Sequence, residues 1–427
     1  MKFSPSLHKL SNGITVILDP MDIETISMKI GFNVGARNEE QKLYGISHFL
    51  EHILCAGTNT KGRESFTNLR NYLRDNGGGG LNAGTGNDGT RYYGKILSEK
   101  FDILIDLLAD QMFNSKISEK DIEREREVIS QEYKRAKDDS NRQWNRVKME
   151  NLFRDTVLSR ETLGNLDTIK TISKKDLIDY KDKFYNANNS FIVISGSFGK
   201  SKIVLDKLEK FFGKMPRKDI PSFEPPVITP CVYHEIKDDK KQVKVCIGFN
   251  DKYPINKEFL YQSMAVGVFR MALGSRLFDI VREKNGLVYG IFMGRIGDEF
   301  VGLNTIQTEL SSEKLSTAIS LIAQTCKEIM TIKPVTDEEL NRWKITSKFS
   351  RAEFMDDSDA RSSRLMGHYK WFGELYDVDE YETIIDKMTL EDVNQFTKTF
   401  FDGPLSIVSM GVKIDIDMKQ VWDNNFN

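Results

Sequence analysis

Ile26-Ser27-Met28-Lys29-Ile30-Gly31-Phe32-Asn33 returns later in the chain as Val243-Lys244-Val245-Cys246-Ile247-Gly248-Phe249-Asn250, a displacement of 217 residues. Both segments read as strands, apolar and β-branched at alternate positions, and both end on Ile-Gly-Phe-Asn. A second pair lies near the ends of the two copies. Ile172-Ser173-Lys174-Lys175-Asp176-Leu177 resembles Met388-Thr389-Leu390-Glu391-Asp392-Val393. Each is followed by a helical stretch, an aromatic pair (Phe184-Tyr185; Phe400-Phe401) and a short apolar strand (Phe191 to Ile194; Leu405 to Val408). One nearly constant displacement accounts for these matches. The chain therefore reads as two homologous α+β domains, each expected to be a mostly antiparallel sheet packed against helices. Between the copies, Pro216, Pro221, Pro225, Pro226 and Pro230 crowd into 15 residues that cannot form a helix or a central strand. The expected boundaries are residues 1–215 for the first domain, 216–230 for a proline-rich linker and 231–427 for the second.

Composition narrows the class of function. A chain of 427 residues can bury a core in each of two domains. Its net charge of −2 gives no support for nucleic-acid or polybasic membrane binding, and neither is expected as a partner. Cys55, Cys231, Cys246 and Cys326 are scattered without a Cys-x-x-Cys, so neither a disulfide framework nor a thiolate zinc site is indicated. Met1-Lys2-Phe3-Ser4-Pro5-Ser6-Leu7-His8-Lys9 lacks the apolar stretch of a secretory signal. The expectation is a bacterial cytoplasmic protein, with a mature organelle protein left open.

The chemistry concentrates in His48-Phe49-Leu50-Glu51-His52. On a helix His48 and His52 stand one turn apart on one face, where two imidazoles can hold one metal ion. Glu51 flanks that face, within reach of a metal-bound water. The order is His-x-x-Glu-His, the inverse of the zincin motif. The displacement that relates the copies carries this pentapeptide onto Ala265, Val268 and Phe269. One metal site per chain is expected, in the first copy. Cys55 shares the histidines' face, and a buried free thiol is the plain reading there. His8, His234 and His368 have no partner at a ligand spacing.

A second charged helix is expected over Ser118 to Lys137, with a serine cap. Its inward stripe runs Ile122, Glu125, Ile129, Glu132, Ala136. Carboxylates on such a stripe need a positive partner, and a cation held by two histidines supplies one. The matching residues of the second copy are Trp343 and Ser350, so the carboxylates vanish together with the histidines. A solvated face read one register out is the plain alternative.

Gly45-Ile46-Ser47-His48-Phe49-Leu50-Glu51-His52 with Gly57-Thr58 behind it, and Glu125-Arg126 followed by Glu132, resemble the pitrilysin/insulinase family of inverted zincins. The half-length branch, which includes mitochondrial processing peptidases and their bacterial relatives, is the nearest in pattern. The resemblance spans nearly the whole chain. It implies Zn2+ held by His48, His52 and Glu132, Glu51 as general base and Glu125 as a carboxylate that orients the site.

The run Asn76-Gly77-Gly78-Gly79-Gly80-Leu81-Asn82-Ala83-Gly84, followed by Asp88-Gly89 and a second extended segment, reads as a hairpin that another backbone can approach closely. In the family such a strand is an open edge to which substrate adds, which here implies Asn82 and Ala83. A glycine loop without a role is the alternative. In relatives an arginine and a tyrosine seven residues apart reach the metal site from the second domain. Arg282 and Tyr289 match, though a surface ion pair and a core tyrosine would fit the same residues. The long glycine-rich loop of the non-catalytic processing-peptidase subunit is missing. The resemblance thus implies a zinc metalloendopeptidase that cuts unstructured peptides in an enclosed chamber. The expected assembly is a homodimer, with a heterodimer open. A non-catalytic core subunit, or one subunit of a heterodimeric processing peptidase, is the rival reading.

Overall fold

A computed structural model describes residues 3–221, 223–237 and 241–427. The chain forms two compact units, and no single cut in the sequence separates them. The first comprises Met1–Asp138, Arg160–Glu224 and Arg351–Val378; the second comprises Asp139–Ser159, Pro225–Ser350 and Asp379–Asn427. Residues 216–231 carry no helix or strand among those described.

Each unit is built on one mixed, mostly antiparallel sheet, as the α+β reading expects. The first sheet contains β1 (Ser6–Lys9), β2 (Thr15–Pro20), β3 (Thr25–Phe32), β4 (Gly78–Thr85), β5 (Thr90–Leu97) and β6 (Ser190–Gly196), in the order β1-β2-β6-β3-β5-β4. The second contains β7 (Val232–Ile236), β8 (Gln242–Asn250), β9 (Ile291–Gly297), β10 (Gly302–Ser311) and β11 (Ser406–Gly411), in the order β7-β11-β8-β10-β9. Among the described residues only β2 with β6 and β7 with β11 run parallel. Ten of the helices recur in pairs. The first set is α1 (Ile46–Cys55), α2 (Phe101–Phe113), α3 (Glu119–Asp138), α4 (Ser140–Leu152) and α5 (Lys174–Phe184). Their counterparts are α6 (Leu260–Leu277), α7 (Leu315–Thr331), α8 (Asp337–Phe354), α9 (Ser358–Phe372) and α10 (Leu390–Thr397).

Strand alternation explains how the sheets are covered. Along β3, Ile26, Met28, Ile30 and Phe32 enter the main core with α1 and α2, while Ser27, Lys29 and Gly31 face the other way. There they meet α9. Ser27 Oγ donates to Asp359 at 3.1 Å, Lys29 Nζ reaches the same carboxylate at 2.6 Å, and a Cβ on Gly31 would come within 3.2 Å of Met366. The second unit repeats the plan with α4. Val243, Val245, Ile247 and Phe249 line its core, whereas Cys246 packs with Trp144, Val147 and Leu152. A Cβ on Gly248 would lie 3.3 Å from Leu152. The repeated glycine is thus the place where a helix seats against each sheet. The repeated aromatics have a shared role too, with Phe32 stacked on Tyr185 at 4.2 Å and Phe249 edge-on to Phe401 at 4.8 Å.

The helix over the first sheet, α9, comes from the second half of the sequence, and α4, from the first half, covers the second sheet. In the first unit α9 is held by a fully buried ion pair. Arg361 donates through Nε to Asp19 at 2.7 Å and through Nη2 to the other carboxylate oxygen. Removing one partner of such a pair leaves a charge without compensation in a dry site. Asp19→Ala is expected to lose about 3–5 kcal/mol of unfolding free energy in a denaturant titration. Pairing it with Arg361→Met should restore most of that loss. An unchanged midpoint in Asp19→Ala would show that the pair does not hold α9 in place.

Candidate metal centre

The helix α1 divides cleanly into two faces. Ile46, Phe49, Leu50, Ile53 and Leu54 are fully buried at the helical spacing, which leaves His48, Glu51, His52 and Cys55 together on the remaining side. Gly45 opens the helix with φ at 98°, and a Cβ there would strike Ile169 at 2.8 Å and Gly164 at 3.0 Å. Against this side lies α3, whose serine cap forms as expected, Ser118 Oγ accepting from Asp121 N at 3.2 Å. Ile122 and Ile129 are buried, Glu125, Glu132 and Ala136 are half-buried, and the residues between are mostly exposed. The inward stripe therefore has the register read from the sequence.

Three donor atoms converge there. Glu132 Oε2 lies 3.7 Å from His48 Nε2 and 3.7 Å from His52 Nε2, and the ligand atoms of all three residues fall within 4.8 Å of one another. Tetrahedral zinc with bonds near 2.0–2.1 Å needs neighbouring donors about 3.4 Å apart, so small side-chain rotations close the set. Two imidazole nitrogens and one carboxylate, with a coordination position left for water, are the donor chemistry of hydrolytic zinc. The residues present fit that ion. The other imidazole nitrogen of His52 lies 3.2 Å from Glu125 Oε2, the contact that fixes tautomer and ring orientation in metal-binding histidines.

The electrostatics call for a cation. Burial opposes the charged form of His52, yet Glu125, Glu51 and Glu132 outweigh it and push the ring's pKa up. Burial likewise opposes ionisation of Glu125, but hydrogen bonds from His52 and Arg124 prevail and hold its carboxyl below the usual range. Glu51 is raised, chiefly by burial, against the hydroxyl of Thr85, which donates to its Oε2 at 2.7 Å. Thr85 is a site residue that the sequence did not single out. It stands alone between two glycines at the end of β4, and no pattern marks it.

Asn82 and Ala83 lie on β4, the last strand of its sheet, with a register irregularity between Gly79 and Asn82. Asn82 is exposed, Ala83 half-buried, and α1 packs against this strand. The hairpin turn forms at Gly86 to Gly89, closed by Gly86 N to Gly89 O at 2.8 Å. Lys370 and Trp371 of α9 both reach Asp88 in that turn, at 2.5 and 3.3 Å. Arg282 and Tyr289 belong to the second unit and meet each other, the guanidinium standing 5.3 Å from the tyrosine ring centroid. Tyr289 is 89% exposed, so it is no core residue. It borders a pocket with Trp144, Phe292 and Gln307. Cys55 is half-buried, and burial pushes its thiol well above the ordinary value, which favours the protonated form. His8, His234 and His368 hydrogen-bond to Ser6, to Ser409 and Val412, and to Glu374.

Comparison with known proteins points to one family. Residues 16–166 match the family model for insulinase (peptidase family M16), and residues 171–346 match that for the peptidase M16 inactive domain. A protein of Rickettsia felis named an uncharacterized zinc protease is 29% identical over 409 residues, covering 94% of this chain and 96% of that one. The beta subunit of the mitochondrial-processing peptidase of Saccharomyces cerevisiae is 26% identical, covering 94% and 90%. Among solved structures, the periplasmic protease PqqL of Escherichia coli superposes with a TM-score of 0.84 at 15% identity, over all of this chain and 51% of that one. With a matching model on each half, zinc-protease relatives along nearly its full length and the same fold, the chain belongs to the insulinase family of peptidases, family M16.

Proposed function

We propose that the chain is a zinc-dependent endopeptidase acting on unstructured peptides. The convergence of His48, His52 and Glu132 beside Glu51 carries this reading. His48, His52 and Glu132 hold the ion, which when bound activates a water and polarises the scissile carbonyl. Glu51 accepts the water's proton and hands it to the leaving amine. Thr85 keeps the Glu51 carboxylate turned toward that task, and the burial of Glu51 raises its proton affinity, the direction a proton shuttle requires. Glu125 orients His52. Substrate adds as a further strand along the open edge of β4 at Asn82 and Ala83, which holds an extended backbone and excludes folded chains. Arg282 and Tyr289 hold the substrate carbonyl and the charge that develops on it.

The assembly proposed is a dimer around a chamber, in which Arg282 and Tyr289 of one chain serve the metal centre of another. The yeast relative is named a subunit, which supports a partner, identical or different. Among the described residues no helix is long and apolar enough to cross a membrane. All four cysteines are free thiols, which suits a reducing compartment, and we place the protein in the cytoplasm.

The decisive experiment is mass spectrometry of a mixed pool of unstructured peptides after incubation with zinc-loaded protein. Wild type is expected to cleave, and Glu51→Gln should be slower by about 10²–10⁴-fold, the usual worth of a general base. Equal cleavage by both would discard the assignment of Glu51. Zinc bound without cleavage by either would favour a missing partner subunit or a non-catalytic core role. For metal binding, the wild type should hold one zinc per chain by elemental analysis after gel filtration. His48→Ala and Glu132→Gln should each weaken that binding by an order of magnitude or more, and retention of wild-type affinity would remove the residue from the ligand set. Sharing across chains has its own test. Mixing His48→Ala with Arg282→Ala should recover activity once subunits exchange, and no recovery with exchange demonstrated refutes it.

A further inference from the structure

The start of α1 raises a question that the metal ligands do not answer. Gly45 has no side chain, so the helix lacks a cap of its own. The cap comes from Glu39, six residues earlier. Its Oε2 accepts from Gly45 N at 2.7 Å and its Oε1 from Ser47 N at 2.9 Å. Glu39 is only 4% exposed, and its own carbonyl accepts from Arg160. Ser47 is tied down a second time, its hydroxyl 2.8 Å from that of Tyr180. Both oxygens of one buried carboxylate therefore grip the two backbone groups that flank Ile46, immediately ahead of His48.

Placement of the cation makes the charge of this cap important. His48 is the third residue of α1, so one of the two imidazole ligands stands in the first turn, at the helix end that carries about half a positive elementary charge. That end repels cations, and an anion at the same end offsets the repulsion. Burial works against the anion and raises the Glu39 carboxyl to about 7, opposed by the two N–H donors, the Ser47 hydroxyl and the nearby Arg160. Tyr44 and Tyr180 are the other titratable groups around it, and both are raised and neutral.

The second copy supplies an internal control. At the displacement of 217 residues, Glu39 becomes Asn256, which makes a short local cap to Phe259 N at 3.2 Å. A neutral side chain thus serves the start of α6, the helix that has Ala265 and Phe269 in place of the two histidines. The buried anion is absent where the metal set is absent.

We propose that Glu39 is a positioning residue for the metal centre: its carboxylate sets the phase at which α1 presents His48 and His52 and offsets the positive helix end against the bound cation. The inference rests on the reading of His48, His52 and Glu132 as metal ligands. The test is a zinc titration of the full chain, stripped of metal by chelator and competed against a chromophoric chelator at pH 8. Wild type, Glu39→Gln, Glu39→Asp and Ser173→Ala are compared, the last removing the cap of α5 in the same unit. Glu39→Gln is expected to bind zinc at least about tenfold more weakly, the scale seen when a group behind a metal ligand is lost. Glu39→Asp keeps the charge and should fall between Gln and wild type, while Ser173→Ala should bind as wild type. Wild-type affinity in Glu39→Gln overturns the proposal, as does an equal loss in Ser173→Ala, which would mark general destabilisation. If Glu39→Gln does not fold, Glu39→Asp decides: a loss beyond that of Ser173→Ala supports the role and wild-type affinity refutes it. A wild-type chain that takes no zinc defeats the reading of the metal centre itself, an outcome distinct from the others.

Discussion

Three carboxylates stand around two imidazoles in a partly dry cleft between α1 and α3, and much of the first unit serves to keep that surplus of negative charge from flying apart or filling with water. Coulomb repulsion among Glu51, Glu125 and Glu132 is relieved by a cation among them, a proton on His52 or a metal ion, and adds to burial in raising the proton affinity of Glu51. The raised His52 and the depressed Glu125 are two views of that same field. The arrangement is held from every side: Thr85 on Glu51, Arg124 on Glu125, and Glu39 at the head of α1.

The fold serves this centre by burying one face of α1 completely. Five fully buried apolar side chains fix the helix against the sheet, so the histidine face can point only one way. The hairpin that carries Thr85 is in turn gripped at Asp88 by Lys370 and Trp371 of α9, a helix from the far half of the sequence. The orientation of the base thus depends on residues some 300 positions away, through contacts that lie wholly inside the first unit. That dependence gives the second copy a structural part in the first unit beside any part in binding substrate.

Much of this was legible in the residues. The faces of α1 and α3, the serine cap, the hairpin at Asp88-Gly89 and the duplicated sheets follow from periodicity and turn chemistry. Glu125 and Glu132 were readable because a carboxylate on an apolar stripe contradicts its neighbours, and the second copy showed which contradictions were dispensable. Thr85 and Glu39 were not. One is a lone polar residue in a glycine run, and the other sits in a loop with no period, directly beside a second glutamate, Glu40.

Local order was therefore determined by the sequence itself, because helix and strand periodicities depend on neighbours within a few positions. Which helix covers which sheet was decided only in three dimensions. The exchange of α4 and α9 rests on a glycine that admits a helix and on polar partners such as Lys29 with Asp359 and Asp19 with Arg361, each more than 300 residues apart in the chain. Complementarity at that distance leaves no periodic trace, since each partner alone looks like an ordinary charged residue. The same holds for Glu39, whose role appears only when the folded loop brings its carboxylate to the start of α1.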